Sequence, residues 1–285
     1  MKKNLLVGVS LGIEEIVAVL TDENFNIIER ETRPLNAKLG RDSIATKIAK
    51  TITSLPSFHL GNGVGVAVPA VFGDGGKKVI KSSIKELIGA DLFQLLSKRI
   101  DLPLFILRRN ICALLAEQAF GEAKSIKNAF WVEIGRDISC AFLINGKIYR
   151  GSSGATGQIS ETIVDITREK RNGVGEFGSL ISGEGIEALT GKSVYQILKE
   201  NPNSTLLSKQ ILRDLKESLL TGLLNIKLLL DPEVFILSGD IVENFRLFRS
   251  SFANLDVKII TSELGKESPA LGAAIAAYNQ IRKKA

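Results

Sequence analysis

"NAFWVEIGRDISCAFLINGKIYRG", residues 128–151, decides the fold. Ala129–Ile134 is almost wholly apolar, Gly135-Arg136-Asp137 breaks the run, and Ile138–Ile144 resumes it. Asn145-Gly146 then gives the signature of a two-residue type I′ hairpin turn, and a short third strand follows. The same order stands near the start, in "LLVGVSLGIEEIVAVLTDENFNIIERE", residues 5–31. There the expected strands are Leu5–Leu11, Ile16–Thr21 and Phe25–Glu31, with "TDENF" as a hairpin signal. Laid one over the other, the two segments place Gly12 on Gly135. The chain therefore reads as two like halves, each a three-strand meander followed by strand and helix alternation, which is an α/β design. The expected domains are 1–107 plus the closing helix 269–285, and 108–268, with a cleft between them. A glycine turn inside each meander lets backbone N–H groups approach a phosphate chain.

Outward from the meanders the pattern continues. "RDSIATKIAKTITSL", residues 41–55, is a helix with Ile44, Ile48 and Ile52 on one stripe. "GVGVAVPA" is a buried strand ending in a proline turn. "SIKELIGADLFQLLSKRI", residues 83–100, reads as one amphipathic helix. In "LPLFILRRNICALLAE", residues 102–117, the strand Leu102–Leu107 runs into a helix from Asn110. In the second half, "SSGATGQIS" and "RNGVGEFGSLISGEG" read as Gly/Ser-rich loops. Leu206–Leu230 is a long helix, "EVFILSGD" and "DVKIITS" are strands, and "SPALGAAIAAYNQIRKK" closes the chain.

Composition narrows the function classes. The 285 residues are 45% hydrophobic and 24% charged, ordinary for a globular protein. A net charge of +6, spread along the chain, favours a solvated surface over a nucleic-acid footprint. No apolar run reaches the roughly 18 residues that mark a membrane span. "MKKNLLVGVSLGI" resembles a signal peptide, but no small-residue cleavage site follows and the strand pattern continues, so a cytoplasmic protein is expected. Cys112 and Cys140 read as core residues, and His59, the single histidine, as a loop residue. Neither provides a zinc site. "GVGEFGSLISGEG" tempts as a dinucleotide loop but follows no strand, so that reading fails its context.

Six segments in this order resemble the ROK family (repressors, open reading frames, kinases), whose fold is the duplicated actin/hexokinase/Hsp70, ribonuclease H-like one. They are "VGVSLG", "GVGVAVPA", "LPLFILRRNICALLAE", "INGKIYRGSSGATGQIS", "DPEVFILSGD" and "PALGAAIAAY", spanning about residues 5 to 280. The resemblance implies particular roles. Ser10 stands where family kinases have the first-turn Asp, followed by Gly12. Ile13 and Glu14 stand where a second Gly and a Thr contact phosphate, and Glu15 follows. Gly135-Arg136-Asp137 replaces the Gly-Thr-Gly of the second phosphate turn. Arg109 takes the place of the catalytic Asp, and Arg108 that of its sugar-holding Asn neighbour. Gln158 replaces the sugar-binding Glu, and Glu161 the His that holds sugar or zinc. The cysteine zinc motif falls in "EKRNGVGEFGS", which has no cysteine. Gly239 and Gly272 mark the adenosine side.

Arginine cannot accept a proton at neutral pH, so Arg109 cannot serve as general base. Losing a base costs about 10²–10⁴ in rate. Glu14, Glu15 and Asp137 would repel a triphosphate. The expectation is therefore a non-catalytic ROK-type protein, a kinase-derived ligand sensor or regulatory protein, with no cofactor and no metal. The alternative is an ATP-dependent sugar kinase with relocated catalytic groups. Arg108 and Arg109 either form an anion site or pair internally with Glu133, Asp137 or Glu161. Gln158 and Glu161 either bind sugar hydroxyls or are solvated. The expected partners are a small carbohydrate or anionic ligand and, by resemblance, a second copy in a homodimer. Family repressors carry a helix-turn-helix ahead of the first strand. Here four residues precede Leu5, so no direct nucleic-acid binding by this chain is expected.

Overall fold

A computed structural model describes residues 4–165, 176–199, 206–242, 252 and 255–284. The chain divides into two compact units, one of Met1–Lys124, Arg150–Thr156 and Glu263–Ala285, the other of Ser125–Tyr149 and Gly157–Ser262.

The first unit is built on a five-stranded sheet in the order β3-β2-β1-β4-β7. Its strands are β1 (Leu5–Leu11), β2 (Glu15–Thr21), β3 (Ile27–Pro34), β4 (Gly61–Val68) and β7 (Leu104–Arg108). β1 to β3 form the antiparallel meander, and β4 and β7 add on in parallel. Residue alternation along β1 sets the layers. Leu5, Val7, Val9 and Leu11 face α1 (Arg41–Thr53), whose Ile44, Ile48 and Ile52 are fully buried against them. Leu6 and Gly8 face the closing helix α8 (Ser268–Lys284). That second face is close-packed. A Cβ on Gly8 would lie 1.9 Å from the Ala270 carbonyl oxygen, and one on Gly65 would lie 1.9 Å from that of Ala273. α8 also packs on α3 (Arg109–Phe120) through Ala273 and Cys112.

Three findings in this unit differ from the sequence expectation. Residues 83–100 are not one helix: a 3-10 turn at Lys85–Leu87 ends before Gly89, whose φ of +79° breaks the run. The helix that follows, α2 (Leu92–Ser97), is capped by Asp91, which accepts from the Gln94 amide at 2.9 Å. A hairpin of β5 (Ala70–Gly73) and β6 (Lys78–Ser82) precedes it, bulged opposite Val71–Phe72. Third, α3 falls in the first unit, whereas the expected boundary at 107 puts it in the second, because its backbone packs directly on α8.

The second unit repeats the design with sheet order β10-β9-β8-β11-β12. Its strands are β8 (Ala129–Ile134), β9 (Ile138–Ile144), β10 (Lys147–Ile148), β11 (Val234–Ser238) and β12 (Lys258–Thr261). The β9–β10 turn has φ of +51° at Asn145 and +73° at Gly146, as a type I′ turn requires. Phe130, Val132 and Ile134 face a core completed by α4 (Phe177–Ile181), α5 (Gly183–Thr190), α6 (Val194–Lys199) and the long α7 (Leu206–Leu230). α4 and α5 lie where a glycine-rich loop is expected. Their glycines serve close packing: a Cβ on Gly185 would meet the Ser179 carbonyl oxygen at 2.4 Å, and one on Gly178 the Ser160 side chain at 2.9 Å. The first residues of that expected loop, 171–175, lie outside the described residues.

Both sheets thus have two antiparallel steps followed by two parallel ones, in the same spatial order. The duplicated α/β design read from the two meanders, and the actin/hexokinase-like fold that the resemblance implies, is the fold of the protein.

Candidate functional site

In the first unit, the parallel strands β1, β4 and β7 end side by side, with Ser10 opposite Ala67 and Val68 opposite Arg108. The carboxyl edge of such strands is where open α/β sheets hold ligands. Arg108 ends β7 in extended backbone and Arg109 opens α3. The turn from strand to helix sends the two guanidinium groups to different partners. Arg109 Nε donates to Ser10 Oγ at 3.3 Å. Arg108, only 7% exposed, donates from Nη1 to the Gly154 carbonyl at 2.7 Å. Gly154 lies in the short strap Arg150–Thr156, which belongs to this unit although its sequence neighbours belong to the other. The strap turns at Gly151 and Gly154, with φ of +69° and +74°.

Cys112, one turn into α3, is fully buried. Burial pushes its thiol up to about 12, while the charges of Arg150 and Arg109 pull in the opposite direction. Arg150, exposed at the start of the strap, therefore acts on the same spot as Arg109. The first turn of α3 contains no acidic residue. The β7–α3 junction of this unit thus holds Arg109 beside Ser10, and Arg108 ties to it the strap that begins at Arg150.

The other residues singled out by sequence are distributed as follows. At the first meander turn, Gly12 donates its N–H to the Glu15 carbonyl at 2.8 Å, and the Glu14 carbonyl accepts from Leu35 at 2.6 Å. Glu15 is bridged by Lys266 at 3.4 Å. At the second turn, Gly135 donates to the Asp137 carbonyl at 3.1 Å, and Asp137 Oδ1 accepts from the Ile138 amide at 2.7 Å. The carbonyls of Gly135 and Arg136 accept from Gly183 and Glu184, the first two amides of α5, at 2.8 and 2.9 Å. Gln158 precedes and Glu161 ends the 3-10 turn Ile159–Glu161 of the second unit, which buries Ile159, with Gln158 half-buried and Glu161 exposed. Gly239 has φ of +98°, and a Cβ there would lie 2.5 Å from the Ile134 carbonyl oxygen. A Cβ on Gly272 would lie 1.7 Å from the carbonyl oxygen of Cys112. Backbone conformation and packing both call for glycine at Gly239, and packing does at Gly272. Cys112 and Cys140 are fully buried, as expected of core residues. Among the described residues, no three His, Cys, Asp or Glu side chains are grouped to hold a metal ion, and no helix is long and apolar enough to cross a membrane.

The structure therefore joins Arg109 to Ser10, two of the positions marked by resemblance, and adds two groups that the sequence reading passed over. Arg150 and the Gly154 carbonyl lie more than forty residues along the chain from Arg108, at |i−j| of 46 for Gly154. The only sequence signal for them is the glycine pattern of "RGSSGATG", which shows a turning segment without showing what it turns onto.

The fold is shared by sugar kinases and by transcriptional regulators. A ROK family glucokinase from Streptomyces griseus, in complex with glucose and AMPPNP, superposes with a TM-score of 0.82 at 18% identity, covering 96% of this chain and 99% of that one. A ROK family transcriptional regulator, a homolog of the E. coli MLC protein, superposes at 0.78 with 15% identity, covering 95% of this chain and 77% of that one. The xylose repressor of Bacillus subtilis is 26% identical over 298 residues, covering 95% of this chain and 76% of the repressor. The chain belongs to the ROK family, which it matches over residues 6–280.

Proposed function

We propose that this protein is a non-catalytic member of its family, a ligand sensor or regulatory protein derived from a sugar kinase. The observation that carries the reading is the Arg109–Ser10 hydrogen bond. In family kinases those two positions hold carboxylates, one the base and one on the metal side. Here one is a permanent cation, the other a neutral hydroxyl, and they are bonded to each other. A cation cannot take the proton from a sugar hydroxyl.

The nucleotide side supports the same reading. A Mg²⁺–triphosphate needs amide donors and no competing carboxylate at the turns. The Gly12 and Gly135 amides are already bonded within their own turns. Glu14, Glu15 and Asp137 add negative charge at both. These residues do not fit the group.

The ligand is a small carbohydrate, consistent with relatives that are xylose repressors and a glucokinase. The protein acts as a homodimer in the cytoplasm. Calorimetry with ATP–Mg²⁺ at millimolar concentration, and a coupled assay for sugar-dependent ATP turnover, test the reading. No heat of binding and no turnover are expected. Micromolar ATP affinity with turnover would establish the alternative, a sugar kinase with relocated catalytic groups.

A further inference from the structure

We infer that Asn145–Gly146, the turn of the β9–β10 hairpin, is a deamidation site, held shut in the folded chain by a clamp that Glu233 builds and opened whenever the hairpin opens. It stands apart from the sensor reading and lies wholly within the second unit.

The chemistry needs a neighbouring backbone nitrogen and one water. The Gly146 nitrogen gives its proton to solvent and attacks the side-chain carbonyl carbon of Asn145. A C–N bond forms, the side-chain amide nitrogen takes up a proton and leaves as ammonia, and a five-membered succinimide remains. Water then opens the ring. Opening at the side-chain carbonyl gives Asp, and opening at the backbone carbonyl gives isoaspartate, whose main chain is one carbon longer. Nothing is oxidised or reduced. Glycine in second place favours the attack, because no Cβ shields its nitrogen.

Three observations converge on this turn. First, the reacting atoms are open to solvent. Asn145 is exposed, and a Cβ built on Gly146 would meet nothing within 4 Å, so crowding does not protect the site. Second, hydrogen bonds do. The Gly146 N–H donates to the Lys127 carbonyl at 2.7 Å, so the proton that must leave is held. The Asn145 N–H donates to Asn128 Oδ1 at 3.0 Å. With φ of +51° and +73°, both residues are kept in the left-handed region, and ring closure needs an Asn ψ far from that well. Third, both acceptors are themselves fixed from the start of β11. Glu233 Oε1 accepts from the Lys127 amide at 3.0 Å and from the Asn128 amide at 2.8 Å. The Glu233 N–H donates to the Asn128 carbonyl at 2.8 Å. One carboxylate, 105 residues beyond Asn128, therefore holds the two residues that hold the turn.

The opposing element is slight. β10 is two residues long at the edge of its sheet, paired only through Lys147 to Ile144 and Ile148 to Leu143. Short edge elements open locally far more often than the whole domain unfolds. Each opening frees the Gly146 amide and the Asn145 backbone together. The Asp product can close the same turn again, since Asp-Gly also suits type I′. The isoaspartate product cannot, because its extra carbon lengthens a two-residue turn.

The test uses the full chain at pH 8, folded and in denaturing urea. Peptide mass spectrometry reads deamidation site by site, and so separates Asn145 from Asn62–Gly63 and from Asn172–Gly173, which lies outside the described residues. Asn145 should react at least about tenfold more slowly in the folded chain than in urea. Glu233→Ala and Asn128→Ala, each removing part of the clamp, should raise the folded-state rate about fivefold or more, with circular dichroism unchanged. Equal rates in the folded and unfolded chain overturn the inference. So does an Asn145 that stays intact in urea, and so does a wild-type rate in both folded variants. Should the variants fail to fold, hydrogen exchange of the Gly146 amide in the wild type decides. Its protection should match the slowing of deamidation, and an unprotected amide overturns the inference.

Discussion

At the scale of single residues, the adjacent arginines show how one strand-to-helix step can send two like side chains to different partners, Arg108 to Gly154 and Arg109 to Ser10. Arg109 is bonded to Ser10, so returning one carboxylate does not return the other. Arg109→Asp is expected to show no sugar phosphorylation in a coupled assay, because both turns keep their acidic side chains. Turnover in that single variant would mean that the base alone had been lost. Cys112 gives a second residue-scale expectation. Its thiol, with an ordinary value of 9.0, is raised to about 12 by burial. The folded state therefore keeps a proton that the unfolded state gives up above 9.0, so this thiol's contribution to stability is intact below 9.0 and falls as pH rises toward 12. Compared with Cys112→Ala, the wild type should lose stability over that interval, read by urea denaturation at successive pH values. At pH 8 Cys112 should resist alkylation until the protein unfolds.

At the scale of elements, the first two strands of each meander were readable from sequence because they are nearly unbroken apolar runs separated by a glycine turn. The β5–β6 hairpin was not readable, since its strands are four and five residues long and only Ala70, Val71 and Val79 are buried. α4 and α5 were hidden because glycine is a poor helix former, and here it is used for approach of backbones. The same limit applied to the site. The arginines stood out at a strand end, but their partners are 99 and 46 residues away in the chain. Periodicity reports the face that a residue occupies and nothing about such distant partners. The seam between α8 and its neighbours belongs to this scale. Gly272→Ala places a methyl where only 1.7 Å separates it from the Cys112 carbonyl oxygen, an oxygen fixed in the helix backbone. It should cost about 3 kcal/mol or more, measured by chemical denaturation. Asp91→Ala, which removes the cap of α2, should cost about 1 kcal/mol.

At the scale of the whole molecule, the two sheets share one strand order, and the second unit is inserted into the first. The proposed homodimer should sediment as twice the chain mass at micromolar concentration, and a monomer there would reject it. Cutting the chain before Ser268 should leave the small-residue face of the first sheet bare and give strong binding of a hydrophobic dye, since Gly8 and Gly65 lie directly beneath α8. That arrangement also has a consequence for synthesis. α8 leaves the ribosome after the whole of the inserted unit, roughly 160 residues later than α3. At about 5–20 residues per second, the first sheet waits roughly 8–32 s for the helix that covers it. The nascent first unit therefore spends that interval with one face uncovered, the period in which chaperones would find it, and it becomes a closed body only when the final helix docks.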